Sequence, residues 1–190
     1  MQLRTHTLTL ALLIGSAAFA QHPQLSIGPD ALLPLGDLNK EYTLGVGPSL
    51  GFEYPVGTHL GITVHAGYDI LLVKSDFSET IESASFAPVQ AGVKFFFQEI
   101  QKGIYAHAQL GTHVFTEKFK ENVTFGLAEE GETKARFSWA IGAGYQIPHF
   151  DFGLRFNMIL PPGEEEAERE GAESMSYVGL RIAYLIPLGQ

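Results

Sequence analysis

The chain has 190 residues, with 12 basic against 21 acidic side chains and no cysteine. That balance argues against a nucleic-acid partner, which selects basic patches. The absence of thiols excludes disulfides, thiolate metal sites and a lipid-modified amino terminus.

In chain order, Arg4, the apolar run from Leu8 to Ile14 and the small-x-small signature Ala18-Phe19-Ala20 read as a secretory signal peptide over residues 1–20. The apolar run falls short of the roughly 20 residues a spanning helix needs. Residues 21–190 are expected to form one domain. No long apolar run follows the leader, which leaves strands as the only means of crossing a membrane.

The rest of the chain alternates with a two-residue period, the mark of β-strands. Eight strands are expected near Gln24–Leu33, Tyr42–Tyr54, His59–Val73, Ser85–Gln98, Gly103–Thr116, Ala135–Ile147, His149–Leu160 and Ser174–Pro187. The second, fourth and sixth connections are tight: Pro55-Val56-Gly57-Thr58, Glu99-Ile100-Gln101-Lys102 and a corner at Pro148. The odd-numbered connections are long and polar. With both termini periplasmic, short turns fall inside and long loops outside, as in bacterial outer-membrane barrels. Pro29 and Pro48 interrupt the first two strands, and a bulge or shortened strand is expected there.

The alternation sorts residues onto two faces. The third strand sets Leu60, Ile62, Val64, Ala66, Tyr68, Ile70 and Leu72 against Gly61, Thr63, His65, Gly67 and Asp69. The sixth sets Phe137, Trp139, Ile141 and Tyr145 against Arg136, Ser138, Gly142 and Gly144. The seventh sets Phe150, Phe152, Leu154 and Phe156 against Asp151, Gly153 and Arg155, and the eighth sets Leu180, Ile182 and Tyr184 against Gly179, Arg181 and Ala183. None of these apolar faces carries a charge. Eight strands enclose an interior only wide enough for side chains, so the small residues belong inside and the large ones outside. The reversed assignment would give a soluble periplasmic barrel binding a lipophilic ligand. Such a barrel would spread Lys and Glu along its exposed strands, whereas here charge gathers in the loops.

Two segments carry a family likeness. Gly144-Tyr145-Gln146-Ile147 turning into Phe150-Asp151-Phe152-Gly153-Leu154-Arg155-Phe156 resembles the hairpins of small eight-stranded outer-membrane barrel domains of the OmpA/OmpX type. Ser176-Tyr177-Val178-Gly179-Leu180-Arg181-Ile182-Ala183-Tyr184 resembles their closing strand. The resemblance implies a fold and a location, the outer membrane of a Gram-negative bacterium, and no activity.

The expected lumenal polar cluster is Glu53, His65, Asp69, Lys94, His107, Arg136, Asp151, Arg155 and Arg181, with His113 on the same face. Its carboxylates and cations nearly balance, which suits a plug of paired charges closing the lumen better than a narrow pore. His107 and His113 share a strand face about 20 Å apart at 3.3 Å per residue, too far to chelate one ion. No cofactor or metal is expected, although His65 and His107 face one lumen. The outer face shows no Ser-His-acid set, and His59 and His149 lie near turns, so no catalytic residues are expected. The last long loop holds Glu164, Glu165, Glu166, Glu168, Glu170 and Glu173 against Arg169 alone, and the one before it holds Glu129, Glu130 and Glu132. This acidic extracellular loop is a candidate for divalent cations bridging lipopolysaccharide or for a basic surface partner. The pattern Phe119, Val123, Phe125, Leu127 suggests strands extended beyond the membrane. The chain thus reads as all-β, an eight-stranded antiparallel transmembrane up-and-down β-barrel. It is expected to be a monomer in contact with outer-membrane lipid and lipopolysaccharide, with a structural or surface-interaction role.

Overall fold

The computed structural model describes residues 22–120, 132–161 and 173–189. The expected leader at 1–20, the glutamates from Glu164 to Glu170, Glu129 and Glu130, and the extension at Val123, Phe125 and Leu127 lie outside the described residues. Among the described residues nine strands form: β1 (Gln24–Leu35), β2 (Tyr42–Val56), β3 (Leu60–Gly67), β4 (Asp69–Val73), β5 (Ile81–Phe96), β6 (Gly103–Phe119), β7 (Glu132–Ile147), β8 (Phe150–Ile159) and β9 (Met175–Pro187). A one-turn helix, α1 (Leu38–Glu41), sits in the first long connection.

β3 and β4 are two parts of one stave, since both pair antiparallel with β2 and with β5. Each stave pairs with the next in sequence, and β1 also pairs with β9, so eight staves close into an up-and-down barrel. Closure satisfies the backbone groups that an open edge would expose to lipid.

The faces fall as the alternation requires. Ile62, Val64, Ile70, Phe137, Ile141, Leu154, Leu180 and Ile182 stand exposed on the outer surface, while Thr63, His65, Asp69, Ser138, Asp151 and Arg155 are buried inside. At the short-turn end the outer surface carries aromatic rings in contact. Phe95 meets Phe97 edge-on at 5.6 Å, Phe150 meets Tyr184 at 5.6 Å, and His149 stacks on Tyr184. Such rings mark the membrane–water interface of a spanning barrel. An apolar outer surface of this extent is that of a transmembrane barrel, the reverse of a ligand-binding calyx.

The structure corrects the reading of the prolines. Pro29 and Pro48 stand directly opposite each other in a β1–β2 ladder that runs through them without a shift. Each missing N–H points to the other neighbour, and the ladder lapses there. β1–β9 pairing skips from Ile27↔Tyr184 to Asp30↔Arg181, and β2 loses its partner between Ser49↔Gly67 and Val46↔Ile70. The offset is the same on both sides of each lapse, so neither a bulge nor a shortened strand results. The lapse at Pro48 divides β3 from β4, and the Tyr68 N–H still donates to the Pro48 carbonyl at 3.1 Å.

Bulges occur elsewhere, at the long-loop end. One between Tyr42 and Leu44 and another between Ile81 and Ser83 each slip the ladder by a residue. A one-residue slip moves a side chain to the other face, and both slips turn an apolar residue inward. Tyr42 and Ile81 thereby join Leu32, Leu71, Phe86, Ile159 and Tyr177, with Leu38 of α1, in a buried cluster inside the long-loop end. The fourth expected strand starts earlier than its alternation suggested, at Ile81 rather than Ser85, because the bulge places Glu82 and Ser83 side by side and breaks the two-residue pattern. The fifth runs past Thr116 to Phe119, paired with that same extension.

The lipid-facing assignment has a measurable consequence. Ile141→Arg, on the outer face of β7, should destabilise the vesicle-inserted barrel by about 2–4 kcal/mol in reversible urea unfolding. An unchanged midpoint would show that this face does not contact hydrocarbon.

Candidate functional site

The chemistry-bearing side chains lie inside, in three tiers. The tier nearest the short turns is built on Lys94 of β5. Its ammonium lies 2.6 Å from Asp151 Oδ2, 3.0 Å from Glu53 Oε2 and 3.3 Å from Gln146 Oε1. It also sits 4.2 Å from the centre of the Tyr105 ring, whose hydroxyl donates to Asp151 Oδ1 at 2.6 Å. A Cβ on Gly144 would collide with that ring, so the glycine on β7 makes the space Tyr105 occupies.

The middle tier centres on Asp30 of β1 and Arg155 of β8. Arg155 Nη2 donates to Asp30 Oδ2 at 2.5 Å, and Nη1 lies 3.0 Å from His65 Nε2 on β3. A guanidinium only donates, so this contact calls on the lone pair of His65 Nε2, an atom that also lies 3.3 Å from Asp30 Oδ2. Ser49 donates to Asp30 Oδ1 at 3.1 Å. Arg181 Nε donates to Ser49 Oγ at 2.8 Å and lies 3.6 Å from the same carboxylate oxygen. Asp30 therefore meets two arginines while 3 % exposed.

The third tier holds no ion pair among the described residues. Gln90 donates to Ser138 Oγ at 3.1 Å, Ser138 lies 2.8 Å from His113 Nδ1, and His113 Nε2 lies 2.7 Å from the Tyr177 hydroxyl. Phe86 stacks on Tyr177 and meets His113 edge-on, joining this tier to the apolar cluster above it. Asp69 of β4 and Asn157 of β8 belong to opposite walls. Both are fully buried, and their side-chain oxygens and the Asn157 nitrogen have no hydrogen-bond partner in the protein.

The structure thus brings Glu53, Lys94 and Asp151 together, and separately His65, Arg155 and Arg181. His107 stands on the wall between these tiers, its ring 5.9 Å from Tyr105. Asp69 is inside but pairs with no cation. Arg136 is not part of the buried cluster: it is half-buried at the long-loop end and donates to the Glu173 carbonyl at 3.3 Å. Period-two alternation gave its face correctly, but height along the axis depends on register and strand tilt. Among the described residues no group of three or more His, Cys, Asp or Glu could hold a metal ion. The largest omission from the sequence reading is Asp30. Gly28-Pro29-Asp30 has the composition of a turn, yet the alternation Leu25, Ile27, Ala31, Leu33 outward places Ser26, Asp30 and Leu32 inward. Tyr105, Gln90 and Tyr177 were likewise legible only from parity.

The fold and interior together define a small transmembrane β-barrel of the outer-membrane kind. Comparison with solved structures agrees. The chain superposes on the attachment invasion locus protein Ail of Yersinia pestis with a TM-score of 0.57 at 16% identity, covering 87% of this chain and 99% of that one. It superposes on Neisserial surface protein A with a TM-score of 0.56 at 12% identity, covering 87% and 97%. The N-terminal barrel domain of Pseudomonas aeruginosa OprF follows at 0.52 and 12%, covering 86% and 97%. At such identities the likeness concerns the fold. No protein-family model matches the chain, and no curated protein matches its sequence.

The middle tier can be tested by substitution. Asp30→Ala leaves two buried guanidinium groups without their carboxylate and should cost about 3–5 kcal/mol in urea unfolding. Asp30→Ala with Arg155→Met should cost less than the sum of the two single changes, because the pair is lost together. Asp69→Asn keeps the size of a buried carboxyl that has no hydrogen-bond partner in the protein and should cost less than about 1 kcal/mol or stabilise. Equal losses for Asp30→Ala and Asp69→Asn would refute the distinction drawn between them.

Proposed function

We propose that the protein is an integral outer-membrane barrel of a Gram-negative cell, monomeric, with a structural or surface-interaction role and a lumen closed by its own side chains. The observation that carries this reading is Arg155, which reaches from β8 to Asp30 on β1 and His65 on β3. Three walls are joined at one height, where an eight-stranded barrel has room for side chains and little else. The apolar cluster around Phe86 and Tyr177 supports closure at the long-loop end as well.

A catalytic role finds no support in the described residues. The interior carboxylates Asp30, Glu53 and Asp151 and the cations facing them are engaged with one another. His59 Nδ1 lies 3.0 Å from the Phe96 carbonyl, and His149 stacks on Tyr184. An exposed nucleophile–base pair would be needed for covalent chemistry at the rim.

The loops are the surface on which a partner would act. A run in which Glu164, Glu165, Glu166, Glu168 and Glu170 face only Arg169 attracts divalent cations or a basic protein surface. Divalent cations held there would bridge to the phosphates of lipopolysaccharide. Ail of Yersinia pestis has been crystallised in complex with the heparin analogue sucrose octasulfate. A polyanion of that kind is the opposite of what this glutamate run favours, so the surface chemistry here is expected to differ.

Electrophoresis of the detergent-extracted membrane fraction, with and without boiling, tests the barrel. A heat-dependent mobility shift is expected, also in a variant with Glu164, Glu165, Glu166, Glu168 and Glu170 all changed to Gln. That variant should lose calcium-dependent retention on lipopolysaccharide vesicles, a retention that high salt weakens in the parent through screening. Recovery of unshifted protein in the soluble periplasmic fraction would overturn the membrane reading. Undiminished retention of the variant would overturn the role of the acidic loop.

A further inference from the structure

The proline pair shapes the outer wall as well as the ladder. Pro29 of β1 and Pro48 of β2 face each other, and the same offsets place Ile182 of β9 beside Pro29 and Tyr68 beside Pro48. A proline ring closes back on its own nitrogen and stands low, whereas Ile182 and Tyr68 reach outward. The next row toward the long loops repeats the profile, with Ala31 and Val46 between Leu180 and Ile70. The result is a depression of about 400 Å³ in the outer wall, backing onto the Asp30 tier. Its outward side chains are Pro29, Ala31, Val46, Pro48, Leu180 and Ile182.

The lining selects hydrocarbon. None of these six side chains carries a charge or a hydrogen-bonding group. The Ile182 and Tyr68 carbonyls, which face the missing proline donors, pack against Gly28 and Gly47, where a Cβ would collide with them. A second copy of the chain is a poor fit, since a stable protein interface uses roughly 20–30 residues a side. A lipid chain needs only a slot. The space is more than twice the roughly 150 Å³ that admits a benzene ring. The gain inside a bilayer is contact rather than hydrophobic transfer, because lipid tails are as apolar as leucine. A dent left unfilled forfeits the dispersion contacts along its lining.

The depression also has a direction. From the proline row its lining extends toward the long loops, through Ala31, Val46 and Leu180. It stops short of Ile27 and Leu50, which stand 50 % and 59 % exposed in the row toward the short turns. A chain therefore enters from the leaflet on the long-loop side, which in a Gram-negative outer membrane is lipopolysaccharide.

We propose that the Pro29–Pro48 depression is a binding site for one acyl chain of lipopolysaccharide, seated from the outer leaflet. The site rests on the orientation proposed in the preceding section. It adds a contact within the hydrocarbon that needs neither divalent cations nor the acidic loop.

Native mass spectrometry of the detergent-folded barrel, mixed in EDTA with lipopolysaccharide lacking its outer polysaccharide, tests the site. EDTA removes cation bridging, so retention reports the acyl contact. The parent is expected to keep one lipopolysaccharide that excess phosphatidylethanolamine does not displace. Ala31→Trp and Val46→Trp each place an indole in the depression and should lose it. Leu110→Trp, on the outer face of β6, should keep it. A heat-dependent mobility shift in each variant shows that the barrel has folded, and either filled variant carries the test. Undiminished retention in the filled variants, displacement by phosphatidylethanolamine, or no retention by the parent would overturn the site. A parent that shifts on heating but fails these tests overturns the depression alone; a parent without the shift overturns the membrane reading beneath it.

Discussion

The charge on Arg155 constrains the whole interior. A guanidinium cannot shed its proton at any accessible pH, so a barrel that points one inward has to meet the charge there or leave it uncompensated in a medium that penalises it severely. Here the meeting point is Asp30, on a strand two staves away around the closure, and the neighbouring residues follow from that pair. Ser49 and Arg181 gather at the second carboxylate oxygen, and His65 Nε2 lies close to both the guanidinium and the carboxylate. Gly179 stands opposite Arg155 on β9, where a Cβ would sit 3.2 Å from Arg155 Nε, a tight contact that the glycine avoids.

Two different solvents are thereby separated by one sheet. The outer surface needs only to be apolar and aromatic at the rim, a loose requirement that many residues meet. The inner surface has to match donors to acceptors at fixed positions, and it uses two devices to do so. Ion pairs and hydrogen bonds fill the lower and middle tiers, where the alternation is regular. Aromatic and aliphatic packing takes over at the long-loop end, where bulges break the alternation and turn Tyr42 and Ile81 inward. The change of material makes physical sense: α1 and the first loop supply Leu38 as a lid there, and apolar contacts tolerate the irregular backbone that bulges create.

Much of this was legible in the sequence because a spanning strand has so few ways to satisfy lipid. Alternation at period two identified all eight staves and sorted Ile62, Phe152 and Leu180 from Thr63, Asp151 and Arg181 correctly. Three things escaped it. Asp30 hid behind a Gly-Pro pair that mimics a turn, since local composition outweighed parity. The bulges at Tyr42 and Ile81 reverse parity by one residue, and nothing in composition announces a slip. Arg136 was placed on the right face at the wrong height, because register and shear are properties of the closed sheet rather than of any one strand. The Pro29–Pro48 pair shows the converse: two residues that look disruptive separately are accommodated because they stand opposite each other and their missing donors point away from each other, to the next strand on either side.

On the proposed reading, a cross-lumen charge network leaves no continuous path through the barrel. Single-channel recording on folded protein inserted in a planar bilayer addresses it directly. A closed lumen gives a flat baseline at every holding potential, in protein whose insertion is verified by its heat-dependent mobility. Discrete, reproducible conductance steps from that same protein would contradict it and return the lumen to the status of a pore.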